Sequence, residues 1–211
     1  MQKAYRDIDS ETIFRPIIVY DNKWISVHGG TISLKLPSAG SVSFALSADY
    51  SNDGYEASDS DVLEGMAERE DNFWVGASAT WENSIADLSV SWSTDVSGNS
   101  EGQKFAVSAE RTFERGRFEF APRLGAVWLD DNYVDYYYGV RVNEVTADRE
   151  FYAPEATVNL EAGFRTTYRL AQRHSLFLDL SVHSLGSEIQ DSPIVDGSTE
   201  SRIFVGYVRM F

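Results

Sequence analysis

Cysteine is missing from this chain of 211 residues, which excludes disulfides, thiolate nucleophiles and Cys-ligated zinc and suits a protein that crosses an oxidising compartment. Positive charge is scarce. The 18 Lys and Arg residues face 33 Asp and Glu, a net charge of -15, so a broad electrostatic grip on nucleic acid or anionic phospholipid is disfavoured, while cationic partners and divalent ions stay open. Long apolar runs are lacking too: nothing approaches the ~18 residues of a membrane-spanning helix. Residues 1–20 hold no apolar signal-peptide core, so an exported protein would be represented by a mature or shortened form. The length suits one domain, residues 1–211, with enough chain to bury a core or to close a sheet on itself.

What fills the chain instead is alternation with a period of two, the mark of strands with one apolar and one polar face. Val42, Phe44, Leu46, Ala48 and Tyr50 share a face opposite Ser41, Ser43, Ser47 and Asp49. The rhythm returns in Phe73 to Trp81, in Leu88, Val90 and Trp92, in Phe105, Val107, Ala109 and Phe113, and in Phe118, Phe120, Leu124, Ala126 and Trp128. Val158 to Leu170, Leu176 to Val182 and Ile203 to Phe211 complete it. These runs reach about ten residues, the length a tilted strand needs to cross a bilayer, where soluble sheets commonly use ~5–6. Connections alternate as well: Pro37-Ser38-Ala39-Gly40, Glu82-Asn83-Ser84 and Glu114-Arg115-Gly116 are tight, while 51–72, 94–102, 131–155 and 187–199 are long and polar. Short periplasmic turns and long external loops produce that asymmetry in transmembrane barrels. Trp24, Trp74, Trp81, Trp92 and Trp128 fall mostly near strand ends, where an amphipathic ring meets lipid headgroups. A soluble sandwich or lipocalin-like barrel shares the alternation but turns the apolar row inward and favours shorter strands.

The expectation is therefore an all-β fold, a transmembrane antiparallel up-and-down β-barrel. With Phe211 at the periplasmic rim, strands 200–211, 174–186, 156–170, 117–130, 102–113, 84–95, 73–82 and 41–50 alternate in direction and place every long loop outside. Between 12 and 36, apolar parity flips at Gly29-Gly30. A two-residue hairpin there pairs Val27 with Ile32 and Ile25 with Leu34, and a turn at Asp21-Asn22 pairs Ile18 with Ile25; a bulge is the alternative. The hairpin shows eleven strands and, since bacterial single-chain barrels are even-numbered, expects 12 strands with the first partly or wholly missing before residue 12; the bulge gives 10. Residues 1–11 are short and polar for a strand, so Met1 is expected to be an internal methionine or a truncation point.

Particular strings go beyond pattern. Asp53-Gly54-Tyr55 followed by Ser58-Asp59-Ser60-Asp61, the run Asp135-Tyr136-Tyr137-Tyr138-Gly139-Val140, Gly186-Ser187-Glu188-Ile189 leading to Asp191-Ser192-Pro193-Ile194-Val195, and the opening Pro16-Ile17-Ile18-Val19-Tyr20 cover most of the chain. In order and spacing they resemble the MipA/OmpV family of outer-membrane proteins, the MltA-interacting protein family. The resemblance implies a monomeric barrel in the bacterial outer membrane, contact with outer-membrane lipid and lipopolysaccharide, a signal peptide and a first strand upstream, and folding by the outer-membrane assembly machinery. The end departs somewhat: Ile203, Val205, Tyr207 and Phe211 fit the closing pattern while Arg209 interrupts it. The family's namesake is regarded as a scaffold joining a murein-cleaving lytic transglycosylase to a murein synthase. That implies a non-enzymatic role, with no cofactor and no nucleic acid, in which periplasmic turns and rim gather murein machinery or support envelope integrity; no motif maps it to residues. A small-solute channel and an outer-membrane hydrolase are the alternatives.

Candidate sites follow from chemistry. Loop 52–71 holds eight acidic residues, among them Asp53, Asp59 and Asp61, against Arg69 alone. Such density could hold Ca²⁺ or Mg²⁺, although EF-hand spacing is absent, or engage ions shared with lipid phosphates; a solvated external loop has the same composition. Tyr133, Tyr136, Tyr137 and Tyr138 offer faces for stacking on sugars or aromatic compounds, or else pack over the barrel mouth. His28, His174 and His183 are the only histidines. His183 shares an inward row with Ser181 and Asp179, but a spacing of two sets neighbours about 6–7 Å apart, too far for a direct Ser-His bond. The inward row also mixes Lys35, Asp49, Asp87, Lys104, Glu110, Arg117, Glu119, Arg123, Glu161, Arg165 and Arg169. Paired, these groups plug the lumen; unpaired, they line a small aqueous pore.

Overall fold

The computed structural model describes Tyr5 and residues 19–209. Among these residues twelve strands form one antiparallel sheet: β1 (Val19–Asp21), β2 (Ile25–His28), β3 (Thr31–Ala39), β4 (Val42–Ser51), β5 (Asn72–Trp81), β6 (Asp87–Asp95), β7 (Gln103–Glu110), β8 (Phe113–Arg115), β9 (Phe118–Leu129), β10 (Thr157–Ala171), β11 (His174–Ser184) and β12 (Thr199–Arg209). Neighbours in sequence are neighbours in space, an up-and-down order from β1 to β12 with β8 lying beside β9. Among the described residues no ladder joins β1 to β12. The two ends nevertheless face each other, because His28 and Gly29 line the same cavity as Arg202, Phe204 and Val208. The strand expected before residue 12, the pairing of Ile18, the opening string up to Ile18, Met1 and the terminal Phe211 lie outside the described residues.

The Gly29-Gly30 hairpin forms with Val27 opposite Ile32 and Ile25 opposite Leu34, and the positive φ of Gly29, 60°, is the left-handed conformation such a turn demands. The preceding turn differs from expectation. Asp21 faces Ser26 and Tyr20 faces Val27, a wider connection in which Asn22 Oδ1 accepts from the Trp24 and Ile25 backbone N–H groups, both at 2.7 Å. Strand 102–113 is also interrupted. β7 and β8 keep one register on β9, Glu110 facing Arg123 and Phe113 facing Phe120, and the break lies opposite Pro122. Arg111 donates to the Pro122 carbonyl at 3.2 Å, but the imide has no N–H to return. Three boundaries move: β3 carries the Pro37-Ser38-Ala39 turn into the ladder through an irregularity between Leu36 and Ala39, β6 begins only at Asp87, and β11 ends at Ser184.

Which face is buried separates a membrane sheet from a sandwich. Ile203 and Val205 are 66 % and 74 % exposed, while Asp179 and Ser181 on the opposite face of the neighbouring strand are 3 % and 6 % exposed. The same inversion runs through Leu34, Phe44, Leu46, Leu88, Val90, Trp92, Leu160 and Leu178, all exposed. An apolar row turned outward along every long strand is stable only against lipid. No helix of the described residues is long and apolar enough to cross a membrane. Trp24, Trp81, Trp92 and Trp128 are exposed, whereas Trp74 is 2 % exposed and points into the molecule, so it is a core residue and no part of an aromatic girdle.

Val90→Arg, in the middle of the outward row of β6, is expected to destabilise the protein folded in lipid vesicles by about 2–4 kcal/mol. Urea-driven unfolding reads the shift, and an unchanged midpoint would place Val90 in water.

Candidate functional site: a capped lumen

The long loops fold. Buried Tyr55, Leu63 and Met66 of the β4–β5 loop meet Tyr133, Val134, Tyr137 and Val140 of the β9–β10 loop and Leu185, Ile189, Ile194 and Val195 of the β11–β12 loop. Trp74, Leu129 and Tyr5 join them, forming an apolar core beyond the strand ends. Helix α1 (Asp131–Tyr138) supplies Tyr133 and Tyr137 and is capped by Asp130, whose carboxylate accepts from Tyr133 N–H at 3.0 Å. Helix α2 (Ser187–Gln190) carries Ile189.

A buried ion pair locks the first two loops together. Arg69 and Glu144 have side chains 0 % and 1 % exposed. Arg69 donates Nη2 to both Glu144 oxygens at 3.1 Å, Nε to the Tyr136 carbonyl at 2.6 Å and Nη1 to the Ala67 carbonyl at 2.8 Å. Glu144 also accepts from the Ala67 and Arg141 N–H groups at 3.0 and 2.9 Å. Burial pushes the Glu144 carboxyl up, but Arg69 and the two backbone donors outweigh it and hold the group below its ordinary value. Arg149 adds a second clasp, donating to the carbonyls of Val62, Glu64 and Glu144. Tyr55 packs in this core with its hydroxyl lacking a partner among the described residues, and burial pushes its phenol up to about 12.

The acidic residues of loop 52–71 are spent separately. Asp53 turns inward to Lys104 Nζ at 3.3 Å and accepts from Tyr133 OH at 3.0 Å. Lys104 in turn sits 4.0 Å from the Trp74 ring centroid. Desolvation opposes ionisation of Asp53, yet Lys104 and the hydroxyl donors win and lower its pKa. Asp59 accepts from Glu56 N–H at 3.0 Å, Asp71 accepts from Tyr50, Asn52 and Gly54, and Asp61 is exposed. Among the described residues no group of three or more His, Asp or Glu side chains gathers to hold an ion. Gly54 is required by close approach, since a Cβ there would lie 2.4 Å from the Arg69 carbonyl. Tyr137 donates to the Glu70 carbonyl at 2.9 Å, Tyr136 OH accepts from Glu70 N–H at 2.9 Å, and the Tyr138 carbonyl accepts from Ser192 at 2.6 Å. Tyr137 is buried in the cap, and Tyr136 and Tyr138 pack against it half-buried.

Below the cap a cavity of about 640 Å³ opens in the lumen. Arg123 lies across it, donating Nε to Glu161 at 2.8 Å and both Nη groups to Asp179 at 3.0 and 2.9 Å. Gly163 faces Arg123 in register, and a Cβ on it would come within 2.5 Å of the guanidinium carbon. Arg165 Nε reaches Asp179 at 2.7 Å. Arg169, nearer the other end, pairs with Glu114 at 2.6 Å and Glu119 at 3.6 Å. Glu110 faces Arg123 across the ladder but receives none of its donors. Ser181 Oγ and His183 Nε2 are 3.3 Å apart, correcting the expectation that residues two apart cannot touch: the ring leans along the strand and spans the gap. No carboxylate bonds the other ring nitrogen among the described residues. Sequence reasoning missed Glu144 and Arg149, which lie far from Arg69 in the chain. It also missed Phe177, Phe204 and Arg202 in the cavity wall, although period-two parity places all three on the inward face.

A family model described as MltA-interacting protein MipA matches residues 1–211. The chain belongs to this family. It is 24 % identical to the putative outer membrane protein YiaT of Escherichia coli (strain K12) over 208 residues, 97 % of this chain and 84 % of that protein. It is 24 % identical to the MltA-interacting protein of Escherichia coli (strain K12) over 216 residues, 100 % of this chain and 86 % of the other. Outer membrane protein OmpV of Vibrio cholerae is 25 % identical over 146 residues, 69 % of this chain and 57 % of OmpV, so that match spans little more than half of the relative. No solved structure matches. Family, outward apolar face and up-and-down order together identify an outer-membrane β-barrel protein, and these relatives are named as outer membrane or interacting proteins rather than as enzymes.

Arg69→Ala strands Glu144 in the cap, and a loss of about 3–5 kcal/mol in local stability is expected, read as faster amide exchange across 52–71 and 131–155. The pH dependence has a definite sign. Because the folded Glu144 pKa is lowered, its contribution is complete above the ordinary glutamate value of about 4.3 and fades as pH falls through the lower folded value. Cap exchange, corrected for intrinsic rates, should therefore stay slow at pH 5 and accelerate only under stronger acid, and Glu144→Gln should shrink that step to the part carried by Asp53, whose pKa is lowered as well.

Proposed function

We propose that the protein is a scaffold whose periplasmic rim gathers murein-cleaving and murein-synthesising machinery. The observation that carries this reading is the charge of the rim. Arg111, Arg115, Arg117 and Arg173 are exposed in the adjacent β8–β9 and β10–β11 turns and in the segment leading to them, held side by side by Arg169 N–H donating to the Arg117 carbonyl at 2.9 Å. Arg111 also donates to the carbonyls of Ser84 and Ile85, which ties the β5–β6 turn to the same patch and presents Ile85, 77 % exposed. In a chain of net charge -15, a basic rim with an apolar knob suits an acidic partner surface. A full-length match to a relative named MltA-interacting protein supports a lytic transglycosylase as that partner. Lipid and lipopolysaccharide surround the outward face in the same reading.

A small-solute channel is the second reading, favoured by the lumen cavity of about 640 Å³. The cross-lumen bonds of Arg123 and the packed cap favour a closed barrel. Refolded protein should capture the cognate lytic transglycosylase, and the triple charge reversal Arg115→Glu, Arg117→Glu, Arg173→Glu should lower capture at least about tenfold, the loss of roughly one well-formed charge contact, without altering heat-modifiable migration. Undiminished capture sinks the rim. Planar bilayers should show no discrete openings; steady openings altered by charge reversal at Arg165 would transfer the case to the channel.

A further inference from the structure

We propose that the lumen cavity binds a small organic monoanion with an apolar body, of the aryl- or alkyl-carboxylate class. The inference is independent of the scaffold reading. Although the chain carries a net charge of -15, the cavity wall holds four arginines, at 123, 165, 169 and 202, against the carboxylates of Glu119, Glu161 and Asp179. Glu114 and Glu200 pair with Arg169 and Arg202 in addition, so the site is set apart by guanidinium donors left unspent and not by net charge.

The ladder arranges these groups in rungs. Arg165 faces Asp179, which faces Phe204. One inward step along, Gly163 faces Ser181, which faces Arg202. Arg123 spends its guanidinium on Glu161 and Asp179, but Arg165 does not: only its Nε is bonded among the described residues, and its side chain is 49 % exposed. Arg202 gives Nη2 to Glu200 at 3.2 Å while its Nε, shielded from solvent, finds no partner among the described residues. An N–H shielded in that way carries a free-energy penalty that an incoming acceptor removes after a small turn of the guanidinium. Two cations on β10 and β12 thus flank a rung with donors to spare.

The apolar component lies beside them. Phe204 is 46 % exposed, on the inward face between outward Ile203 and Val205. Phe177 covers Gly206 so closely that a Cβ there would meet the ring at 2.3 Å, and Val208 continues the patch. A carboxylate bridging Arg165 and Arg202 would lay its body on Phe204 and Phe177, the pairing of few charged donors with aromatic walls that small-molecule sites share. The cavity, about 640 Å³, has the volume of such sites, ~300–1,000 Å³. Inorganic phosphate lacks the apolar body and an amidinium carries the wrong charge, so both are discriminating controls.

Isothermal titration of the refolded full chain in micelles, against a micelle blank, tests this with 2-naphthoate, 2-naphthamidine and inorganic phosphate. Naphthoate is expected to bind and naphthamidine not to bind. Arg165→Gln and Arg202→Gln should each weaken naphthoate by about tenfold, the effect of one charge-assisted hydrogen bond, and Phe204→Ala should weaken it too. Both arginines were chosen because Arg123 continues to hold Asp179 without them, and heat-modifiable migration checks each fold. Absent naphthoate binding in the wild type, equal binding of the amidine, affinity unchanged by both arginine variants, or phosphate binding as tightly as naphthoate would each overturn the proposal.

Discussion

A sheet in hydrocarbon has no water to satisfy its backbone, so every N–H and C=O must find a partner in the next strand. In this protein successive strands meet that requirement in an up-and-down ladder running from β1 to β12, and the rest of the molecule follows from it. Side chains of a paired strand can point only outward or inward. The outward row becomes apolar because lipid receives it, which leaves the inward row to carry the polar groups. Where the ladder cannot continue, as opposite Pro122, the strand breaks without losing register.

The inward row then has its own constraint. Charges in a narrow lumen cost free energy unless they meet opposite charges and donors. Arg123 solves this by reaching over Gly163 to two carboxylates on different strands, which braces β9, β10 and β11 against one another. The same logic recurs at the capped end with Arg69 and Glu144, where burial is nearly complete. There the ion pair is surrounded by tyrosines and aliphatic residues from three loops, so the conventional hydrophobic core of this protein lies in its loops and not in its sheet.

Charge is sorted along the axis as well. Carboxylates dominate loop 52–71 at the capped end, arginines gather at the turns of the opposite end, and the lumen between them holds arginines interleaved with carboxylates. A net charge alone would have concealed this, because the overall value of -15 is set by the exterior. Family membership accounts for where the protein sits. The distribution of arginines bears on what it meets there.

Period two determined the fold from the amino-acid sequence alone: the strands near 41–50, 73–82, 117–130, 156–170 and 174–186, the Gly29-Gly30 pairing and the outward apolar row all follow from local pleat geometry, in which a residue's face depends only on its parity. The strings around Asp53, Tyr136 and Gly186 were legible as a family mark, though their physical task was not. Tertiary structure alone decided that task. Arg69 meets Glu144 and Arg149 meets Val62 across 75 and 87 residues, and no local pattern announces contacts made by loops folding over a barrel mouth. The reach of a side chain is equally hidden from a parity pattern: the Ser181–His183 contact depends on how one ring leans along its own strand, while the inward burial of Trp74 and the convergence of Arg165, Arg202 and Phe204 appear only once the strands stand side by side.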